Sequence, residues 1–92
     1  MTDMPSMEQR KARAKFRSWH RGTREADYMI GGFFDRYASE WGEPEMTWFE
    51  DLLEEDDVDV MAWALGTQPI PPRFAGDLMN QMRKLDYVDI PR

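Results

Sequence analysis

The 92 residues carry 18 acidic against 12 basic side chains, a net charge of −6, with 41% hydrophobic residues; a chain this short has room for one core and no second domain. Cysteine is absent, which excludes disulfides, cysteine-ligated zinc and thiol nucleophiles. The acidic majority argues against general nucleic-acid binding, where phosphate neutralisation supplies most of the affinity, and no apolar run approaches the ~20 residues of a membrane span.

Charge is divided along the chain. Residues 1–25 hold seven Arg or Lys against three acids (+4), and residues 26–92 hold five against fifteen (−10), which sum to −6. Residues 1–7 show no period and are expected to be a tail. From Glu8 to Trp19, Ala12, Phe16 and Trp19 fall at i, i+4 and i+7 of a basic amphipathic helix, and Gly22 stands where it would stop. The basic segment Arg10 to Arg17 runs straight into the motif described below, so it does not read as a cleavable presequence. The N-terminus is read as mature, and the compartment as the bacterial cytoplasm.

A second helix over about residues 23–38 carries Ala26, Ile30, Phe33, Phe34 and Tyr37 at i, i+4, i+7, i+8 and i+11. Gly31 and Gly32 in its middle cost about 2 kcal/mol relative to alanine, tolerable only where another element packs closely or the helix bends. Pro44 opens a third helix with Met46, Phe49 and Leu53 inward. The acids Glu54 to Asp57 read as helix-capping and dipole-favoured residues of a fourth helix, since a hard-cation loop needs a ligand spacing and a glycine that are missing here. That helix shows Val58, Met61, Ala62 and Leu65 at i, i+3, i+4 and i+7, and Gly66 as its stop. A proline-bearing loop, Gln68 to Pro72, precedes a fifth stripe of Phe74, Leu78, Met82 and Leu85, and Tyr87 to Arg92 are expected to trail as an extended tail. The fold class is therefore all-α, one domain spanning 1–92, a compact irregular bundle of five short helices with an ordered core of about residues 8–86.

The inventory for catalysis is thin. His20 is the one histidine, without a nucleophile beside it or a second histidine for a metal, so no catalytic residue and no metal site are assigned. Gly31-Gly32 lacks the third glycine and the preceding strand of a dinucleotide fingerprint. The stretch Arg21-Gly22-Thr23-Arg24-Glu25-Ala26-Asp27 differs in kind, because polar groups crowd the junction of helices one and two. Arg21 and Glu25, four apart, are placed to share a face. Gly22 can take positive φ and lets another backbone approach. Glu25 near a helix N-terminus is favoured by the dipole while its oxygens remain available.

Arg21, Gly22, Glu25 and Asp27 match the RGxxE signature, with Asp two residues on, of the SdhE family of FAD assembly factors, which this chain resembles. The likeness continues through Phe33-Phe34, Tyr37, Phe49-Glu50-x-Leu52-Leu53, Asp57-x-Asp59, Trp63, Gly66 and the proline loop, over roughly residues 10–85. Ala26 and Ala64 depart from it, standing where the family has Leu and a bulkier aliphatic. The resemblance implies a five-helix, non-enzymatic factor that binds the flavoprotein subunit of succinate dehydrogenase, and in some bacteria that of fumarate reductase. It implies that the FAD is carried by that partner, with no cofactor held stably here, and that attachment is promoted by positioning. By position, Arg21, Gly22 and Glu25 would form the contact surface and Asp27 would support it. Arg17, His20 and Arg24 are expected as peripheral contacts, and the free chain as a monomer. The rival expectation is a small acidic helical antitoxin or regulatory module that masks a basic partner with Glu50 to Asp59.

Overall fold

The computed structural model describes residues 6–87. Five helices, α1 (Met7–Ser18), α2 (Arg24–Tyr37), α3 (Glu43–Leu53), α4 (Asp57–Leu65) and α5 (Asp77–Lys84), follow one another with brief connections. Two 3₁₀ turns, Ala38–Glu40 and Pro72–Phe74, tighten the corners after α2 and before α5. The described residues thus form the all-α, five-helix architecture expected from the periodicities.

Local chemistry sets the helix ends. Ser6 and Gln9 close a reciprocal capping box on α1, with Gln9 N–H donating to Ser6 Oγ at 3.1 Å and Ser6 N–H to Gln9 Oε1 at 2.9 Å, so two orphan donors are satisfied at once. Thr23 Oγ1 accepts from Ala26 N–H at 3.2 Å and starts α2. Gly66 ends α4 in the left-handed region at φ 79°, the stop that a glycine makes inexpensive. The expected N-terminal tail shortens accordingly: Ser6 and Met7 belong to α1 and its cap, while residues 1–5 and 88–92 lie outside the described ones.

α2 supplies the centre. Its Ala26, Ile30 and Phe33 are sealed, with Met29 and Phe34 nearly so, and they meet Met46, Phe49, Leu52 and Leu53 of α3. Ring centroids lie 5.5 Å apart for Phe34–Phe49, 5.5 Å for Phe33–Trp41 and 5.1 Å for Trp41–Phe49, within the range where aromatic pairs attract beyond their buried area. Trp63 of α4 and Phe74, 5.4 Å apart, extend the core toward α5, whose Met79 and Met82 are fully buried. Ala26 and Ala64 are both buried, so the two departures from the family pattern are places where smaller side chains fill the core.

Two expected stripes face elsewhere. In α1 the buried residues are Ala14 and Ser18, whereas Ala12 is exposed and Phe16 is 64% exposed. In this rotation the Trp19 ring lies on the α2 backbone while Arg10, Arg17 and Lys15 reach carboxylates of α3, the α3–α4 link and α2. In α4 Val60, Trp63 and Ala64 are buried, and Val58 and Leu65 are exposed. That helix is apolar on most sides, so its period offers two candidate faces, and burial of the large Trp63 ring selects one. Phe74 is detached from the fifth stripe into the 3₁₀ turn by Ala75 and Gly76.

The paired glycines of α2 have a tertiary cause. A Cβ at Gly31 would collide with the Trp19 ring, so the indole lies directly on the α2 backbone. Gly32 faces Tyr87, whose ring a Cβ would meet at 3.4 Å. Tyr87, expected in the trailing tail, packs instead against Phe33 at 5.6 Å and donates its hydroxyl to Met82 O at 2.9 Å. At Gly31 the close approach of the indole requires the missing side chain, whereas at Gly32 a methyl would meet Tyr87 at ordinary contact distance.

Candidate functional site: the corner between α1 and α2

Helix α1 ends at Ser18 and α2 begins at Arg24, which leaves five residues, Trp19 to Thr23, to reverse the chain. Gly22 makes the turn at φ 114°, a value that a residue with a Cβ adopts only under strain. Asp27 reaches back one turn, and its Oδ1 accepts the Arg21 N–H at 2.6 Å. The carboxylate thereby braces the loop from the first turn of α2, where the helix dipole also favours it.

The Arg21 guanidinium points inward. Its Nε donates to Asp57 Oδ1 at 2.7 Å and its Nη2 to Glu55 O at 3.2 Å, and the side chain is 12% exposed. The anticipated pairing of Arg21 with Glu25 is therefore replaced by one with Asp57. Arg21 precedes the cap of α2, so the i,i+4 geometry of a helix does not apply to it. Its charge bolts the corner to the start of α4.

That arrangement leaves an outer set. Gly22, Arg24 and Glu25 are exposed, and neither Arg24 nor Glu25 has a side-chain partner among the described residues. Space above Gly22 is open, since a Cβ there would meet nothing within 4 Å. An open groove is lined by Trp19, His20, Gly22, Thr23, Arg24, Asp27 and Tyr28. Of the residues expected at the site, His20, Gly22, Arg24 and Asp27 come together in this groove, and Glu25 stands exposed outside its lining. Arg17 turns away, with its Nη2 donating to Glu54 Oε1 at 3.1 Å and to Leu53 O at 3.5 Å.

The acidic run following α3 stands at the N-terminus of α4 as expected, with Asp57 in its first turn, and its carboxylates also make long-range ion pairs. Glu54 pairs with Arg17, Glu55 with Arg73 at 2.7 Å, and Asp57 with Arg21. Asp56 occupies the cap position of α4 without a side-chain cap bond. The acids tie α1, the corner after it and the Pro72–Phe74 turn to the bundle.

The sequence puts Phe16 on the apolar stripe of the first helix, and the structure places it on the outside one helical turn before His20. The two rings stack with centroids 4.0 Å apart and 18° between planes. The available signal was its immediate company: Lys15 and Arg17 flank it, and the apolar stripe containing it has only alanine on the preceding turn.

A family model described as "Flavinator of succinate dehydrogenase" matches residues 12–86, a span that includes the corner and all five helices in whole or part. The FAD assembly factor SdhE of Acetobacter pasteurianus is 38% identical over 73 residues, covering 79% of this chain and 67% of that protein. The mitochondrial succinate dehydrogenase assembly factor 2 of Drosophila grimshawi is 30% identical over 77 residues, and that of Saccharomyces cerevisiae 30% over 82 residues. The chain spans about half the length of these mitochondrial relatives, 52% and 51%. The match to the family model over most of the chain, with its signature residues at one structured corner, shows that this protein belongs to the succinate dehydrogenase flavinator family.

Proposed function

We propose that the chain is an assembly factor that binds the flavoprotein subunit of succinate dehydrogenase and promotes covalent attachment of its FAD. One observation carries the reading beyond family membership: within the signature, Arg21 and Asp27 are consumed in building the corner, whereas Gly22 and Glu25 are left open to solvent. A glycine with free space above it permits a partner backbone to approach, and an unpaired carboxylate beside it can accept that partner's donors. Asp27 and Arg21 thus act as supports, and Gly22 and Glu25 as contacts, with His20 and Arg24 alongside. Arg17 contributes through the fold.

The factor itself is non-catalytic in this reading. It shifts the client toward the conformation in which the client's own residue meets the flavin, and positioning of that kind needs no reactive group on the helper. FAD remains cargo of the client, fumarate reductase flavoprotein is a second client, the free factor is a monomer, and the compartment is the bacterial cytoplasm. The acidic antitoxin alternative is disfavoured because Glu50, Glu54, Glu55 and Asp57 are engaged by Arg10, Arg17, Arg73 and Arg21.

The test is co-expression of the chain with its cognate flavoprotein subunit, followed by flavin fluorescence of the denatured subunit. Omission of the factor, Gly22→Arg and Glu25→Ala are each expected to lower covalent flavin several-fold. Equal flavin in every arm, omission included, would overturn the assignment.

A further inference from the structure

Among the described residues, Phe16, Val58 and Leu65 are the large hydrophobic side chains left exposed, and Phe16 alone of these is aromatic. It is not loose. The His20 ring lies on it at 4.0 Å, nearly parallel, and His20 Nδ1 is 2.6 Å from Phe16 O. A carbonyl oxygen can only accept, so Nδ1 carries the proton and the ring is held at both its face and its edge. The result is a two-ring plate fixed before any partner arrives, and a preorganised aromatic surface loses little side-chain entropy on binding.

The surroundings of the plate specify what it fits. Its His20 end borders the groove that contains Gly22 and Arg24, so plate and corner form one continuous surface. Arg13 lies one turn before Phe16 on the same helix. Arg13 and Arg24 are exposed and without an ion pair among the described residues, whereas Arg10, Lys15, Arg17 and Arg21 are all paired within the bundle. The internal zipper therefore leaves two guanidiniums flanking one aromatic plate.

We propose that the Phe16–His20 plate is the apolar anchor of the docking surface, and that it seats against an apolar patch on the flavoprotein client rimmed by carboxylates that pair with Arg13 and Arg24. This inference rests on the proposed function and deepens it. An aromatic anchor inside a charged rim is the arrangement in which a few residues carry most of an interface's affinity, and the flanking charges set orientation and encounter rate.

The experiment measures binding of the purified flavoprotein subunit to the full chain by titration calorimetry at two salt concentrations. Phe16→Ala is expected to weaken binding by about tenfold or more, Phe16→Tyr to retain it, and Arg13→Glu to weaken it chiefly at low salt. Thermal unfolding of Phe16→Ala should match the parent, because the side chain is outside the core. If Phe16→Ala binds like the parent while Gly22→Arg does not, the anchor is refuted and the assembly-factor reading stands. If the parent itself fails to bind the flavoprotein, the underlying reading falls. Self-association of the parent that Phe16→Ala abolishes, with client affinity unchanged, would overturn the inference by assigning the plate to a second copy of this chain.

Discussion

Arg21 shows how a signature residue can serve function without touching a partner. Its guanidinium meets Asp57 and the Glu55 carbonyl, with 12% and 23% of the two charged side chains exposed. Removing one member of so enclosed a pair leaves the other charge poorly solvated. Arg21→Ala is expected to destabilise the fold by about 2 kcal/mol, read as a lowered urea midpoint at unchanged slope. Glu25→Ala removes an exposed carboxylate and should shift that midpoint by less than about 0.5 kcal/mol. The two substitutions thus separate by mechanism: both reduce flavin attachment, but only the first unfolds the corner. A similar loss of stability in both would contradict the division into supports and contacts.

At the scale of one helix, α2 presents a paired comparison. Gly31 and Gly32 have equal intrinsic cost, and alanine at either should gain about 1 kcal/mol of helix propensity. Their neighbours differ. A methyl at Gly31 collides with the Trp19 indole, while one at Gly32 reaches Tyr87 at ordinary contact distance, 3.4 Å. Gly31→Ala is expected to destabilise by about 1–3 kcal/mol, in the range of overpacked cores, and to disturb the Trp19 ring that lines the groove. Gly32→Ala should be neutral or stabilising by up to about 1 kcal/mol. Thermal unfolding together with tryptophan fluorescence would check both, and the same sign of effect at the two positions would refute the packing account.

For the whole molecule, the closing of the bundle by α5 has a pH signature. Burial pushes the Tyr87 hydroxyl above the usual tyrosine range, with the neighbouring Tyr37 and Asp86 charges adding to the effect. In the unfolded chain this phenol titrates near its ordinary value of about 10. Above that pH the unfolded state releases the proton and the folded state keeps it, so stability falls as pH rises. The parent should lose more stability between pH 9 and 11 than Tyr87→Phe, as measured by urea unfolding at each pH; equal losses would mean that the ring is not seated on α2. Arg10 acts between α1 and α3. Its hydrogen bonds to Glu50 and then Glu43 hold the guanidinium even more firmly in its charged form, which secures α1 to α3 throughout this range.

The chain's own order of residues determined the class of fold, because a 3.6-residue period in α2 and α3 leaves one face to bury, while Thr23 stands at the start of α2 and Gly66 at the end of α4. It also marked the corner, since Arg21, Gly22, Glu25 and Asp27 fall within one seven-residue stretch. Tertiary structure decided the rest. Which way α1 turns depends on partners distant in the chain, the α2 backbone under Trp19 and carboxylates about 20 to 40 positions from their arginines and lysine, and with both engaged Phe16 is outside. Which face α4 hides depends on where Trp63 can meet Phe74. The division of the signature into supports and contacts depends on Asp57, whose distance along the chain from Arg21 hides a separation of 2.7 Å between their atoms. Periodicity reports what a helix can bury, whereas long-range charge pairing and the fit of large rings select among the options it leaves open.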